Sequence, residues 1–216
     1  MSAAAEEDRL SALLRRVEAA EQRVAKLEEQ ASDPVQRVKT DLRRCKVFSA
    51  QFRTMPSTYY DLSLDQRACL LNCTMAQLCK SIIFENTAHD ATVVDPVTNP
   101  KFVCVITQYI AKINTLALRT LMHEMRSPDL RLSKNKFNFR LAADSDSLAL
   151  SGFAHNAVSP FGLLQHVPVI VCRQCTLVRP CILYLGGGHA DVKLAIPAAD
   201  LVRAKNAVVG DVTEAR

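Results

Sequence analysis

The chain of 216 residues contains no tryptophan, and only 6% of its residues are aromatic. Its core must be built mainly from Leu, Val, Ile, Ala, Phe and Cys. Glycine is missing from the first 151 residues; all six glycines lie from Gly152 onward. Glycine marks backbone at positive φ or in close approach, so the unusual backbone, and with it the site, is expected in the C-terminal third. The start, MSAAAEEDRL, has no basic stretch leading into an apolar run, so no secretory signal is expected. No segment reaches the ~18 apolar residues needed to span a bilayer. A soluble, cytoplasmic protein is expected, without membrane contact. Gly-x-Ser-x-Gly and His-Glu-x-x-His are both missing, so hydrolysis by an activated serine or a zincin-type metal is not indicated.

What is present suits a packed domain with an appendage: 49% hydrophobic and 23% charged residues. The eight cysteines, without an export signal, are expected as free and mostly buried thiols. Cys172-x-x-Cys175 invites a zinc reading, with Cys69-x3-Cys73, His155 or His189 as further ligands. The spacing is generic, and Cys69 and Cys73 are expected on a buried helix stripe, so neither metal nor cofactor is assigned. The net charge of +5 is unevenly spread. Residues 1–31 hold seven acids and five bases, a net of −2. Residues 34–53 hold Arg37, Lys39, Arg43, Arg44, Lys46 and Arg53 against Asp41 alone, a net of +5. That basic run is a candidate polyanion contact, or else a solvated helix face.

Leu10, Leu13, Val17, Ala20, Val24, Leu27 and Ala31 alternate spacings of three and four, the seam of a coiled coil. Ser2 is the expected N-cap and Pro34 the stop. The seam wants a partner, either a second copy or a helix of another protein; the alternative is packing onto its own domain. The pattern divides the chain into an N-terminal coiled-coil helix (1–33), a basic helical linker (34–60, with a helix over about 35–53) and an α/β domain (61–210). Within the domain, helices are expected at Leu64–Leu78, Asn114–Met125 and Pro197–Asn206, with a short helix or turn at 144–151. Strands are expected at SIIFEN, FVCVITQY, FNFRLA, PVIVC, CILYL and VKLAI. This irregular interleaving indicates a mixed α/β domain. The last residues, DVTEAR, are expected to fray.

Three stretches carry the chemistry. GFAHNAVSPFG (152–162) joins turn-forming residues, and Pro160 pushes Ser159 toward extended backbone. Such a turn can aim several N–H groups one way; the bland reading is an ordinary turn. LGGGHADVKL (185–194) follows a strand with three glycines, which permits close approach of a ligand. It has neither the P-loop nor the dinucleotide spacing. Lys80, where a helix hands over to a buried-looking strand, can bring an ammonium to a pocket or simply snorkel to the surface.

In this order, CKSIIF, FVCVITQY, FNFRLA, GFAHNAVSPFG, VPVIV and YLGGGHADVKL resemble the YbaK-type aminoacyl-tRNA deacylases, a family also found inserted in bacterial prolyl-tRNA synthetases. The resemblance runs from about Leu64 to Asn206. It implies a compact domain with a strongly bent, mixed, mostly antiparallel sheet and surrounding helices. It maps the family lysine to Lys80 and the Gly-x-x-x-Pro pocket loop to Asn156, Ala157, Val158, Ser159 and Pro160, with Asn156 standing where many members have glycine. Asparagine tolerates left-handed backbone better than other non-glycine residues. Gly186, Gly187, Gly188, Asp191, His155 and Phe161 are the implied substrate contacts. The implied activity is hydrolysis of mischarged aminoacyl-tRNA of alanyl, seryl or cysteinyl type. Aminoacyl-tRNA is then a partner, bound through the basic run, and the heptads would tether the domain to a synthetase assembly or pair two copies. A non-catalytic adaptor that retains the fold is the second reading, and Asn156 is the residue that favours it.

Overall fold

A computed structural model describes residues 12–23, 33–93, 95 and 97–215. Residues 12–23 are helical (α1) and exposed throughout. Of the heptad seam, Leu13, Val17 and Ala20 fall in this helix; Ser2, Leu10, Val24, Leu27 and Ala31 lie outside the described residues.

Asp33 caps the next helix, α2 (Pro34–Arg44): its carboxylate accepts the Val35 N–H at 2.9 Å, and Pro34 occupies the first turn. Val38 and Leu42 bury one face of α2 in the core. The helix ends far short of the expected residue 53. Lys46 adopts φ 55°, and Val47 N–H returns to Leu42 O at 2.9 Å, a left-handed stop. Gln51–Thr54 is instead a strand, β1, paired antiparallel to β8 (Val192–Pro197). The stretch read as a linker is therefore part of the α/β body, and Arg53 stands on a strand.

The next helix, α3 (Leu64–Leu71), has the expected start, with Ser63 and Gln66 forming a capping box. It stops early because Asn72 turns left-handed at φ 51°. The expected stripe through Cys69 and Cys73 is not buried: Cys69 is exposed and Cys73 half-buried, while Cys79, Cys104, Cys172 and Cys175 are buried free thiols.

The central sheet has the order β5 (Phe139–Leu141), β2 (Cys79–Asn86), β3 (Phe102–Gln108), β6 (Val169–Cys172), β9 (Val208–Gly210). A second sheet runs β1–β8–β7, with β7 at Ile182–Gly186. A single bridge between Leu78 and Tyr184 joins the two just before the start of β2. Five strand pairings are antiparallel, and the pairings β3–β6 and β6–β9 are parallel, giving the mixed, mostly antiparallel architecture expected. Helices α4 (Thr115–Glu124), α5 (Asp144–Ser151), α6 (Arg173–Thr176) and α7 (Ala198–Lys205) complete the order. The tail does not fray: Thr213–Ala215 forms β10 against β4 (Ala111–Ile113). No helix among the described residues is long and apolar enough to cross a membrane.

Candidate active site

Where the two sheets meet, a cleft of about 440 Å³ opens. Its walls are the start of β2, the turn after α5 and the end of β7, so Lys80, His155, Asn156, Val158 and Gly186 converge on it. Lys80 is the second residue of β2, just after the 3-10 turn Met75–Gln77, with its Nζ 5.7 Å from the Tyr109 ring centre. Asn156 takes φ 64°, the left-handed geometry the turn requires, and its carbonyl accepts the Tyr60 hydroxyl at 2.7 Å. Among the described residues no acceptor meets the N–H groups of Asn156 and Val158, although both residues line the cleft.

Phe153, Ala154 and Leu185 also line the cleft, but the other expected site residues of the two loops lie elsewhere. Ala157, Ser159, Pro160 and Phe161 are buried behind the turn. Gly187 and Gly188 do not line the cleft, and their N–H groups are spent on Val192 O (2.9 Å) and Ala157 O (3.2 Å). The glycines admit the protein's own chain: a Cβ on Gly186 would collide with Val158 O and Ala157 O, and one on Gly188 would lie 2.8 Å from Pro34 O. Asp191 is also outside the cleft, 3.8 Å from His189 Nδ1. The cleft's carboxylate among the described residues is Asp144, at the start of α5.

The basic run separates into two groups. Arg37 turns inward from α2: Nη2 donates to Gly152 O at 2.8 Å, Nε to Gly162 O at 3.2 Å, and the guanidinium covers the Phe153 ring at 5.0 Å. It clamps both ends of the 152–162 loop to α2. Asp41 completes the clamp, accepting the Gly162 N–H at 2.9 Å and Lys205 Nζ at 2.5 Å. Lys39 rests over Phe52, and Arg44 pairs with Asp41 while staying 81% exposed. Arg43, Lys46 and Arg53 are exposed.

Two features of the cleft escaped the sequence reading. All four tyrosines of the chain, Tyr59, Tyr60, Tyr109 and Tyr184, line it. Arg67 packs 5.0–6.0 Å from three of their rings and ties the Tyr60 carbonyl at 2.6 Å. The second is Lys193, 4% exposed, whose Nζ donates to Tyr60 Oη at 2.6 Å and Ala190 O at 3.0 Å. Burial, and then the neighbouring Arg67, lower its pKa to about 8 against the opposing pull of Asp191. The signal was legible: β8 is apolar and buried on both faces around Lys193, which marks a lysine there as out of place.

No protein-family model and no curated protein matches the chain. Solved structures do. One is a candidate trans-editing enzyme for prolyl-tRNA synthetase, with TM-score 0.65 at 15% identity, covering 84% of this chain and 97% of that one. The two chains share one fold over most of their lengths. A hypothetical protein superposes with TM-score 0.63 at 20% identity, over 82% and 99% of the two chains. A computationally designed epitope scaffold gives 0.64 at 14%, over 85% and 98%. These likenesses are of fold, and they agree with the YbaK-type resemblance carried by the motifs.

Proposed function

We propose that the protein hydrolyses the ester of mischarged aminoacyl-tRNA in trans, in the cytoplasm. The observation that carries this reading is the meeting of Lys80, the unspent N–H groups of Asn156 and Val158, and the end of β7 in one cleft of an editing-enzyme fold.

The ester is already reactive, so the protein has to fix it, admit a water and stabilise the oxyanion. In this reading water adds to the ester carbonyl, and the developing oxyanion is met by the Asn156 and Val158 N–H groups. Collapse breaks the ester C–O bond, the proton given up by the attacking water passes to the departing ribose oxygen, and the free amino acid is left. Lys80 holds the terminal phosphate or polarises the carbonyl. Asp144 meets the substrate's α-ammonium, and tyrosine rings flank the terminal base. Selection among small side chains then rests on the size of the cleft. The adaptor reading was favoured by Asn156, and that support weakens because Asn156 holds the turn's left-handed geometry.

For docking, Arg43, Lys46 and Arg53 are the proposed contacts to the tRNA backbone, and affinity should fall steeply with salt. The exposed Leu13 and Val17 of α1 are the proposed seat for a synthetase-bound helix. Removing residues 1–33 should abolish recovery of synthetases in a pull-down.

The decisive assay treats alanyl-, seryl- and cysteinyl-tRNA mispairs with wild type and Lys80→Ala. Wild type should cleave at least one mispair, and Lys80→Ala should lose ~100-fold or more. Cleavage of none by wild type leaves the adaptor.

A further inference from the structure

A lysine this deeply buried is ordinarily paired with a carboxylate. Among the described residues no carboxylate lies within ion-pair distance of Lys193. Its ammonium is held by a phenol, a carbonyl and two ring faces, 4.8 Å from the Tyr59 centroid and 4.2 Å from that of Tyr60. On both sides the strand is apolar, with Leu194 and Ile196 fully buried. A methionine would pack there without a desolvation cost, so the fold by itself does not call for the charge.

Three separate elements meet at this point. Lys193 belongs to β8, Tyr60 to the turn after β1, and Asn156 to the turn after α5. Lys193 Nζ donates to Tyr60 Oη, and Tyr60 Oη donates to Asn156 O. The turn is thereby held at the Asn156 carbonyl, while the N–H groups of Asn156 and Val158 stay unspent. Two further bonds transmit the same constraint: Ala157 N–H to Ala154 O at 3.1 Å and Gly188 N–H to Ala157 O at 3.2 Å.

We propose that Lys193 is a positioning residue: through Tyr60 it anchors the Asn156 turn, whose Asn156 and Val158 line the cleft with their N–H groups unspent. The anchor rests on the deacylase reading only for its consequence in catalysis; the hydrogen-bond chain exists without it. The charged and titratable groups around Lys193 are Arg53, its cross-strand partner on β1, Tyr59 and Tyr60 from their turn, Arg67 from α3, Asp191 from the loop before β8 and Tyr109 from the end of β3. Lys80, Asp144, His155 and Tyr184 stand on the cleft walls.

Two pH effects follow, of opposite sign. When pH rises through about 8 Lys193 loses its proton. The neutral amine accepts from Tyr60, whose hydroxyl then leaves Asn156 O, and activity falls. Stability moves the other way. The folded state binds fewer protons than the unfolded state between about 8 and the ordinary lysine value, so stability rises with pH across that window. A structural lysine would show only the second effect.

The test compares wild type, Lys193→Met, Tyr60→Phe and the double variant. Amide hydrogen exchange at Ala157 and Gly188 should quicken ~10-fold in each single variant and no further in the double. With a mispair that wild type cleaves, kcat should drop ~10-fold or more in Lys193→Met with KM changed less than ~3-fold. The fall of kcat above pH 8 should disappear. Lys193→Met should be no less stable than wild type at pH 7. Wild-type exchange together with a wild-type kcat and pH profile in Lys193→Met would overturn the proposal. If wild type cleaves no charged tRNA, the deacylase reading falls, and the exchange rates alone decide the anchor.

Discussion

The loops 152–162 and 186–188 look alike in sequence, each a glycine-bearing stretch beside a strand, yet the structure uses them in opposite ways. The first turns outward at Asn156 and leaves two N–H groups unspent at the cleft. The second turns inward: its three glycines are buried, and each sits where a side chain would strike another segment's backbone or Val192. Glycine reports close approach without naming what approaches. In one loop it brackets a turn open to ligand, and in the other it lets the wall of the cleft close on itself. Both loops lean on α2, the helix read from its charges as a nucleic-acid contact. Gly162 packs on the backbone of Val38 and Arg37, and Gly188 on that of Pro34.

The largest effect should therefore come from α2. Asp41 joins Lys205, Arg44 and the Gly162 N–H, and it is 8% exposed. Asp41→Ala leaves the half-buried Lys205 ammonium without its anion and releases the end of the 152–162 loop. A loss of about 3–5 kcal/mol in denaturant unfolding is expected. The exposed Arg44 adds little, so Arg44→Ala should cost under ~1 kcal/mol. The pH dependence has a definite sign. Burial pushes the Asp41 carboxyl up, but Lys205, the Gly162 N–H and Arg44 outweigh it and hold the carboxyl below the ordinary carboxylate value. Its contribution is thus full above the ordinary value and is lost as pH falls through the lowered one. Asp41→Ala should flatten the acid limb of the wild-type stability curve.

The middle effect tests the inward loop. A Cβ on Gly186 would run into Val158 O, with Ala157 O at 2.9 Å. Gly186→Ala should destabilise by about 1–3 kcal/mol by overpacking, read by thermal or urea unfolding. It should also displace Val158, so any ester cleavage should suffer beyond the stability loss. A neutral outcome would mean that the two loops do not touch as described.

What was legible in the sequence follows the range of the forces involved. Local signals read well: the start of α3 at Leu64, the helix α4 and the β-branched runs of β2, β3 and β6 were all placed. Elements held only by distant partners did not. β1 hides in a basic run because its strand character comes from pairing with β8, and β10 hides in a polar tail because it comes from β4. The same division runs through the site. Lys80 and the Asn156 turn were found as short motifs. Lys193 was out of place in an apolar strand, but its pairing with Tyr60 could not be read because 133 residues separate the two ends of their hydrogen bond. Arg37 and Arg43 are the same residue type on one helix, and only tertiary packing decides that the first clamps a loop while the second faces water.

The smallest effect tests the outward loop and sharpens the contrast. Asn156 sits at φ 64°, where glycine is unstrained and asparagine nearly so, whereas alanine carries a penalty of ~1 kcal/mol. Asn156→Gly should therefore leave unfolding within about 0.5 kcal/mol of wild type, and Asn156→Ala should lose about 1 kcal/mol. Neither removes the carbonyl that Tyr60 holds, so the anchor from Lys193 persists in both. If this turn is held from outside, by Tyr60 in front and by Arg37 and Asp41 behind, glycine's extra freedom gains little purchase, and Asn156→Gly should cleave a mispair at a rate near wild type. A collapse of rate in Asn156→Gly with unchanged stability would instead assign the asparagine side chain itself a part in binding, and the outward loop would then work through a side chain as well as its backbone.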